Sequence, residues 1–380
     1  GVEVSLANAV RVRLWWATAA TVGAALLWHT GSPRHRAQLC ELAERRGLTL
    51  SAAGLFDAGG ALLRADDETA MLEALGLPPI PAVLREGRGE LEVAEGLPSL
   101  IEAADLRGDL HMHSRDSDGR ETVAEMAARA RALGLDYIAI TDHSRALTVA
   151  GGLDELRLLD QAARIRALPQ GDGEPRVLAG IEVDILRDGS LDLDPSVLAG
   201  LDWVVASVHQ WTRMSRAEMT ARVIRAIESG VVDCIGHPTG RRPGRRDAYE
   251  LDLDAVIEAA VAHDVALECN GGPNRMDLDD EACARCREAG VAVAVNTDAH
   301  AANQLGRSEY GLAMAQRGWL QREHVLNVRP WPEIAERRAR RLRDRKPAKE
   351  PRKWVSAPSL PDGFVLEAEE QDQPGHAWES

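Results

Sequence analysis

The segment that decides the fold of this chain is Gly108-Asp-Leu-His-Met-His-Ser-Arg-Asp-Ser-Asp-Gly119, where two histidines close a short apolar run and an acidic turn follows. In a β-strand, residues i and i+2 point to the same face, so His111 and His113 direct two imidazoles to one point. Neutral imidazole is the commonest protein ligand for zinc-like ions. Two surface histidines beside a turn would look the same over so short a stretch, so the rest of the chain must decide.

From residue 109 onward, short apolar runs alternate with helical stretches. The runs lie at 109–113, 137–141, 177–183, 203–208, 231–235, 265–269 and 291–295. Between the first two, an apolar stripe predicts a helix over 121–133, and Gly134 follows it as a terminator. Strands that alternate with helices in this way imply parallel βαβ units, arranged either as a barrel or as an open sheet.

Nearly every one of these apolar runs ends in a potential metal ligand. In chain order the candidates are His111, His113, Asp118, His143 (after Asp142), Glu182, His209, His237, Asp298 and His300. In α/β barrels the carboxyl ends of the strands converge on one mouth, so these side chains are expected to meet there. Six histidines and three carboxylates are more than one zinc needs, and they fit two or three ions that share a bridging carboxylate. Imidazole and carboxylate ligands suit Zn, Mn or Fe alike, and such clusters activate water and clamp phosphoryl oxygens.

The same motifs carry a family resemblance. Their order is His-x-His, Asp, Thr-Asp-His, Gly-Ile-Glu, Ser-Val-His, Gly-His-Pro and Thr-Asp-Ala-His, which resembles the polymerase-and-histidinol-phosphatase (PHP) domain over residues 105–345. More narrowly, three segments resemble the PHP part of bacterial X-family DNA polymerases. They are Arg107-Gly-Asp-Leu-His-Met-His113, Gly236-His-Pro-Thr-Gly-Arg241 and Arg317-Gly-Trp-Leu320.

This resemblance implies an α/β fold, a distorted seven-stranded, TIM-like (βα) barrel that holds three ions. Carried over by motif, it assigns the first ion to His111, His113, Glu182 and Asp298. It assigns the second ion to the bridging Glu182 with His209 and His237, and the third to Asp118, His143 and His300. Among these, Glu182, His209 and Asp298 are the positions expected to act in catalysis.

Residues 1–104 resemble the end of the palm and the thumb of the same polymerases, as a small α+β remnant. The resemblance rests on Trp28-His-Thr-Gly-Ser32 and on Leu84-Arg-Glu-Gly-Arg-Gly-Glu90, and a helix is predicted over 34–46. We therefore expect three parts: this non-catalytic region, a PHP domain over 105–345, and a charged, disordered tail over 346–380. The tail turns from basic to acidic, which leaves non-specific affinity for nucleic acid open.

Composition limits the other possibilities. With 45% apolar and 28% charged residues the chain is an ordinary globular protein, and its net charge of −15 argues against binding nucleic acid by charge alone. The five cysteines indicate a reducing compartment, and Cys283 and Cys286 are predicted to be neighbours on a helix rather than half of a zinc site. The apolar segment 14–28 could be a signal-peptide core, but a buried strand and helix are favoured because no cleavage site follows. We expect a bacterial cytoplasmic monomer with no membrane span.

Four arginines, Arg241, Arg242, Arg245 and Arg246, follow the candidate ligand His237 and are predicted to bind a phosphate or a DNA backbone at the rim, unless they form a solvated loop. The leading hypothesis is a metal-dependent phosphoesterase, a 3′–5′ exonuclease that processes DNA ends in repair. A phosphatase for small molecules or nucleotides keeps the same site, since a fold does not fix the substrate. A non-catalytic, DNA-binding remnant of a polymerase is the third class, and the complete ligand set argues against it.

We predict that this chain adds no nucleotides to a primed template. Arg11 stands where the resemblance places the third catalytic aspartate, and an arginine cannot hold Mg²⁺. The segment that carries the other two aspartates in that family lies outside these 380 residues, so the two-metal site is missing. Primer extension with Mg²⁺ or Mn²⁺ should give no product above background, and template-directed extension would contradict this interpretation.

Overall fold

The N-terminal region is built from short elements. The computed structural model describes residues 1–5, 11–93, 96–169, 171 and 173–344, which belong to one compact unit, and the predicted tail at 346–380 lies outside them. The elements are β1 (Val2–Ser5), β2 (Arg11–Leu14), α1 (Val22–Thr30), α2 (Pro33–Arg45), β3 (Thr49–Ser51), β4 (Gly54–Phe56), β5 (Leu62–Arg64) and α3 (Glu68–Ala74). Strands β1 and β2 pair with each other, and β3, β4 and β5 form an antiparallel sheet.

The two motifs quoted for this region hold its core together. Ser32 caps α2 by accepting a hydrogen bond from His35 N, and Pro33 occupies the first turn, as both residue types favour. Glu90 then closes the region from inside: its carboxylate lies 2.6 Å from His35 Nδ1 and accepts hydrogen bonds from the backbone amides of Gly87 and Arg88. Gly87 has φ +74°, which a side chain would strain, so the glycine is required for this turn.

The apolar segment 14–28 does not form the buried strand predicted for its first half. Trp15 is 53% exposed and Trp16 is 72% exposed, because β2 pairs with β1 alone among the described residues. The helix predicted for the second half is confirmed as α1, which buries Leu27. The helix predicted over 34–46 is α2. No helix among the described residues is both long and apolar enough to cross a bilayer.

Seven parallel strands follow, one for each predicted apolar run. They are β6 (Gly108–Met112), β7 (Tyr137–Ile140), β8 (Arg176–Asp184), β9 (Trp203–Ser207), β10 (Cys234–Ile235), β11 (Ala266–Asn270) and β12 (Val293–Asn296). They pair in sequence order from β6 to β12, which is the α/β architecture expected.

The sheet nearly closes into a barrel where its last strand meets its first. Asp298 N donates a hydrogen bond to His111 O (3.0 Å), His113 N donates to Ala299 O (2.8 Å), and Met112 forms a parallel bridge with Ala299. The barrel, rather than the open sheet, is therefore the correct alternative. Its closure brings the ligand candidates of the first and last strands to the same side of the mouth.

Helices surround this barrel. They are α4 (Val123–Ala132), α5 (Glu155–Arg166), α6 (Pro195–Ala199), α7 (Arg216–Glu228), α8 (Leu253–Ala262), α9 (Asp280–Ala289), α10 (Glu309–Arg317) and α11 (Trp331–Asp344). The predicted helix over 121–133 is α4, and Gly134 ends it with φ +74°. Cys283 and Cys286 lie on α9 with both thiols buried, so they are helix neighbours as predicted.

Alternation along the strands separates an apolar barrel interior from the site above it. Leu178 of β8 belongs to the interior cluster, and Glu182, four residues later, shares its face at the carboxyl end of the strand. In β11 the interior residue Ala266 is followed on the same face by Glu268 and Asn270. The strands are therefore apolar at the bottom of the barrel and carry ligands at the top.

Helix α11 covers the bottom of the barrel through a buried ion cluster. Arg338 and Arg341 both donate to the carboxylate of Asp233, which is 0% exposed and also accepts from Val204 N at 2.8 Å. Trp331 and Ile334, from the same helix, pack into the barrel interior. The basic sequence of this helix thus has a structural role in its described part.

We predict that Asp233→Ala destabilises the protein by roughly 3–5 kcal/mol, because it leaves two buried guanidiniums without their shared anion. Denaturant unfolding followed by circular dichroism measures this loss. The control is Glu174→Ala, which breaks an exposed pair with Arg131 and should cost less than about 1 kcal/mol. Equal, small losses for both variants would show that the cluster does not hold α11 in place.

Candidate metal centre

One buried carboxylate lies at the centre of the mouth. Glu182 is 1% exposed, and five imidazoles surround it. Its Oε1 lies 3.0 Å from His237 Nε2 and 3.4 Å from the Nε2 atoms of His111 and His209. Its Oε2 lies 2.8 Å from His143 Nδ1 and 3.6 Å from His113 Nε2. Imidazoles from four strand ends therefore converge on a single anion, which the fifth strand, β8, carries.

The remaining candidates complete three groups of possible ligands. One group is His111, His113 and Asp298; the second is His143, Glu182 and His209; the third is His113, Asp118, His143 and His300. Within each group the ligand atoms lie within 4.8 Å of one another, and His237 joins them through Glu182. The structure thus brings together all nine residues that the sequence singled out, although their division among ions stays a prediction.

Two histidines face more than one group. His113 Nε2 lies 3.0 Å from Asp298 Oδ1, while its Nδ1 lies 3.8 Å from Asp118 Oδ1. His143 Nδ1 faces Glu182 and its Nε2 lies 3.5 Å from Asp118 Oδ2. The assignment from the motifs gave each ring to one ion. In the structure each ring belongs to two groups of possible ligands.

Several buried atoms of the centre lack the partner that a cation would provide. His111 Nε2 and His113 Nδ1 are fully buried and make no hydrogen bond within the described part of the chain. His143 Nδ1 and Glu182 Oε2 lie 2.8 Å apart, but their angles are not those of a hydrogen bond. Buried polar atoms without a partner are costly and uncommon. Because the ligand atoms of each group lie within 4.8 Å of one another, a divalent ion among them would give these buried atoms a partner.

The surroundings shift the pKa values of the candidate ligands in both directions. Burial, with His300 and His143 nearby, lowers the pKa of His113 to about 3, so its ring is neutral and can act as a ligand. Burial opposes ionisation of Glu182, but His209, His111 and His143 hold its pKa well below the usual value. For His111, burial is outweighed by Glu268, Glu182 and Asp298, which raise its pKa well above the usual value. Metal binding must then displace a proton from this ring.

An outer layer of carboxylates orients the ligands, and sequence reasoning missed it. Glu268 is fully buried; its Oε1 lies 2.7 Å from His111 Nδ1, and its Oε2 accepts from His237 N at 2.8 Å. Asp184 Oδ1 lies 2.8 Å from His209 Nδ1 in the same way. A carboxylate on the second ring nitrogen fixes the tautomer and strengthens the ligand. Glu268 lies in the one apolar run left without a ligand, so strand alternation could have found it.

Asp142 positions the loop that carries Asp118. Its buried carboxylate accepts hydrogen bonds from Ser114 N (2.8 Å), Ser114 Oγ (2.6 Å), Ser117 Oγ (2.5 Å) and Gln161 Nε2 (2.6 Å). The neighbours Asp142 and His143 therefore have different tasks: the histidine faces the centre, and the aspartate fixes the acidic turn beside it.

The four arginines predicted to bind phosphate are not equivalent. Arg241 forms an ion pair with Asp279 at 2.8 Å, and Arg246 donates to Gly240 O and lies over the Tyr249 ring, so both serve the loop itself. Arg245 is exposed, and Arg242 is half-buried with an unpaired Nε. The prediction is therefore narrowed to Arg242 and Arg245.

A further arginine lies closer to the centre. Arg275, in the loop after β11, has a side chain 13% exposed, and its Nε lies 3.9 Å from Asp298 Oδ2. Burial and then the charge of Arg275 lower the pKa of Arg242, which indicates two cations close together. Sequence reasoning missed Arg275 because the loop conformation, rather than a strand end, brings it here.

Comparisons with known proteins agree with this site. Residues 109–271 match the PHP domain family, and residues 25–86 match the DNA polymerase beta thumb. The probable phosphatase YcdX of Escherichia coli K12 is 31% identical over 232 residues, 58% of this chain and 90% of that protein. The chain therefore belongs to the PHP family.

Within that family, the barrel and thumb together are similar to one relative. The DNA polymerase/3'-5' exonuclease PolX of Bacillus subtilis is 40% identical over 306 residues, 80% of this chain and 54% of that protein, so the chain spans about half of its length. Among solved structures, a histidinol phosphate phosphatase from Lactococcus lactis aligns with a TM-score of 0.39 and 17% identity over 56% of this chain and 93% of that chain. The thumb expected near the N-terminus is confirmed for the matched residues.

We predict that Glu182→Ala removes at least one ion per chain, since this carboxylate faces two groups of ligands. Glu268→Gln should keep the ions but weaken their binding about 10- to 100-fold, because it leaves His111 without its charged partner. Elemental analysis after reconstitution and dialysis measures the number of metal ions per chain. Competition with a chelator measures the affinity of the protein for these ions. The control Glu258→Ala, on the exposed face of α8, should match the wild type. Less than one ion per chain in the reconstituted wild type would contradict the metal centre.

Proposed function

We propose that this chain hydrolyses phosphodiester bonds at DNA ends, as a 3′–5′ exonuclease acting in repair, with two or three Mn, Zn or Fe ions. The observation that carries the proposal is the gathering of eight potential ligands around the ninth, the buried Glu182. Ions in such a cluster supply an activated water and a clamp for the phosphoryl oxygens. In this proposal His111, His113, Glu182 and Asp298 hold one ion, Glu182, His209 and His237 a second, and Asp118, His143 and His300 a third.

Exposure decides the side from which a substrate approaches. His111, His237 and Glu182 lie at the buried floor, whereas the side chains of Asp118 and His300 are each 32% exposed. The scissile phosphate therefore enters over Asp118 and His300. His209 is 10% exposed and keeps its orientation through Asp184, so it lies between the floor and the opening.

Two arginines supply the positive charge that a phosphate needs. Arg275 is nearly buried beside Asp298, and the Nε atom of Arg242 is buried without a partner. Guanidinium groups bind phosphate through paired hydrogen bonds. The charges of Arg275 and Arg246 lower the pKa of Arg242, so positive charge is concentrated here. Because the chain as a whole carries a net charge of −15, attraction of DNA must come from such local groups.

The thumb favours DNA over a small phosphomonoester. Residues 25–86 match a polymerase thumb, and the relative that shares both thumb and barrel is named a polymerase and 3'-5' exonuclease. YcdX, named a probable phosphatase, keeps a small phosphomonoester as the alternative. A non-catalytic remnant is less well supported, since it would not need nine converging ligands.

The remaining parts of the proposal concern organisation and place. We propose that residues 1–104 act with the barrel at 105–345 on DNA, and that the protein works as a monomer in the bacterial cytoplasm. Ion pairs support a fixed junction between the first two parts: Arg88 contacts Asp280 at 2.9 Å, and Arg317 contacts Glu86 at 2.9 Å.

We predict that the double variant Arg242→Ala/Arg245→Ala loses DNA hydrolysis and that its rate depends less steeply on salt. Each phosphate contact to a single strand contributes about 0.7 to the slope of log K against log salt, so two lost contacts should flatten it by about 1.4. In assays with Mn²⁺, the hydrolysis rate should fall for single-stranded and gapped DNA. The rate for p-nitrophenyl phosphate should fall far less.

The matched control removes two exposed arginines from outer helices, Arg131→Ala/Arg225→Ala, with the same change in net charge. It should keep the wild-type rate and salt slope. Equal losses on both substrates would mean that the loop supports the metal centre itself. Hydrolysis of p-nitrophenyl phosphate but of no DNA by the wild type would favour the small-molecule phosphatase.

A further inference from the structure

Trp211 is an exposed aromatic residue close in the chain to a candidate ligand of the metal centre. It is 46% exposed and follows the candidate ligand His209 by two residues, so the two Cα atoms are at most about 7 Å apart. No hydrogen bond to its indole is found in the described part of the chain.

The backbone at Trp211 is strained. Its φ is +51°, a conformation that bulky side chains rarely adopt. Two of the other described non-glycine residues with positive φ, His237 and Asp298, are candidate ligands of the same centre. Such strain persists where the surroundings enforce it, and it concentrates at functional sites.

A buried arginine enforces this conformation. Arg222, 2% exposed, donates to Gln210 O (3.0 Å) and to Trp211 O (3.3 Å). The same guanidinium donates to Leu186 O and lies 5.8 Å from the centroid of the Trp211 ring. Gln210 Nε2 also donates to Ala146 O at 2.7 Å, which ties the segment to the loop after β7. The indole is therefore held with a cation near one of its faces and with nearly half of its surface open.

We propose that Trp211 is a stacking platform for the nucleobase of the DNA end whose phosphate lies at the metal centre. This inference rests on the proposed function and adds to it a contact to the base. Base stacking on an aromatic ring is tolerant of sequence, because every base has a π-face. A nucleobase is the occupant that fits, since it is joined through one sugar to the phosphate that the ions and arginines bind.

The test compares two oligonucleotides that differ in one base. Both are single strands of the same length, and one carries an abasic residue as its 3′-terminal nucleotide. The wild type should show a KM for the abasic strand that is about 5- to 100-fold higher. Trp211→Ala should bring the ratio of the two KM values close to one, and Trp211→Phe should keep most of it. Tyr310→Ala, which removes an exposed aromatic ring from α10, should keep the wild-type ratio.

Stability separates stacking from a structural role. Glycine adopts positive φ without strain, so Trp211→Gly should unfold at a temperature no lower than the wild type while it loses the base dependence. A lower unfolding temperature for Trp211→Gly, or an unchanged KM ratio in Trp211→Ala, would overturn the inference. A wild type that does not distinguish the two strands would overturn it as well.

Failure of the proposed function gives a different result. If the wild type hydrolyses no DNA, binding of a strand with 2-aminopurine at its 3′ terminus still tests the platform, because stacking on an indole quenches this fluorophore. Quenching that disappears in Trp211→Ala but not in Tyr310→Ala supports the platform, and equal quenching in all three proteins contradicts it.

Discussion

The burial of one negative charge, the carboxylate of Glu182, is the constraint on which the rest of this structure depends. A buried charge is tolerated only when it is paired, and here five imidazoles from other strand ends provide the pairing. Two of those imidazoles, His111 and His209, have a carboxylate on the other ring nitrogen, from Glu268 and Asp184 respectively. The closure of the barrel through His111 and Ala299 then follows, because only a closed ring of strands brings all these groups to one point.

The sequence was sufficient for the features that follow from strand periodicity. Seven apolar runs became seven parallel strands, and each ligand candidate at a strand end reached the centre. Features that depend on loop conformation were not predictable in this way. Arg275 reaches Asp298 through a loop, and Arg246 turns back to Gly240, so neither position could be read from spacing. The exposure of Trp16 was mispredicted because apolar character does not reveal whether a strand has a second neighbour.

The junction of thumb and barrel is polar and specific. Asp280, at the start of α9, receives both Arg88 from the thumb side and Arg317 from α10. Ile101 N donates to Leu320 O across the same junction, and Trp319 packs against the thumb core. Asp280 can pair with both arginines only when the thumb and the barrel have this relative orientation. Direct contacts, rather than a linker, therefore orient the two parts.

The two histidines that face two groups have a consequence for the order in which ions enter. A neutral imidazole has one lone pair, so His113 or His143 can serve only one of the ions it faces at a time. An ion bound to one nitrogen of such a ring would fix its tautomer and leave an N–H directed at the neighbouring group of ligands. Occupancy of one group would therefore change what the next group can offer, so the groups would not bind ions independently.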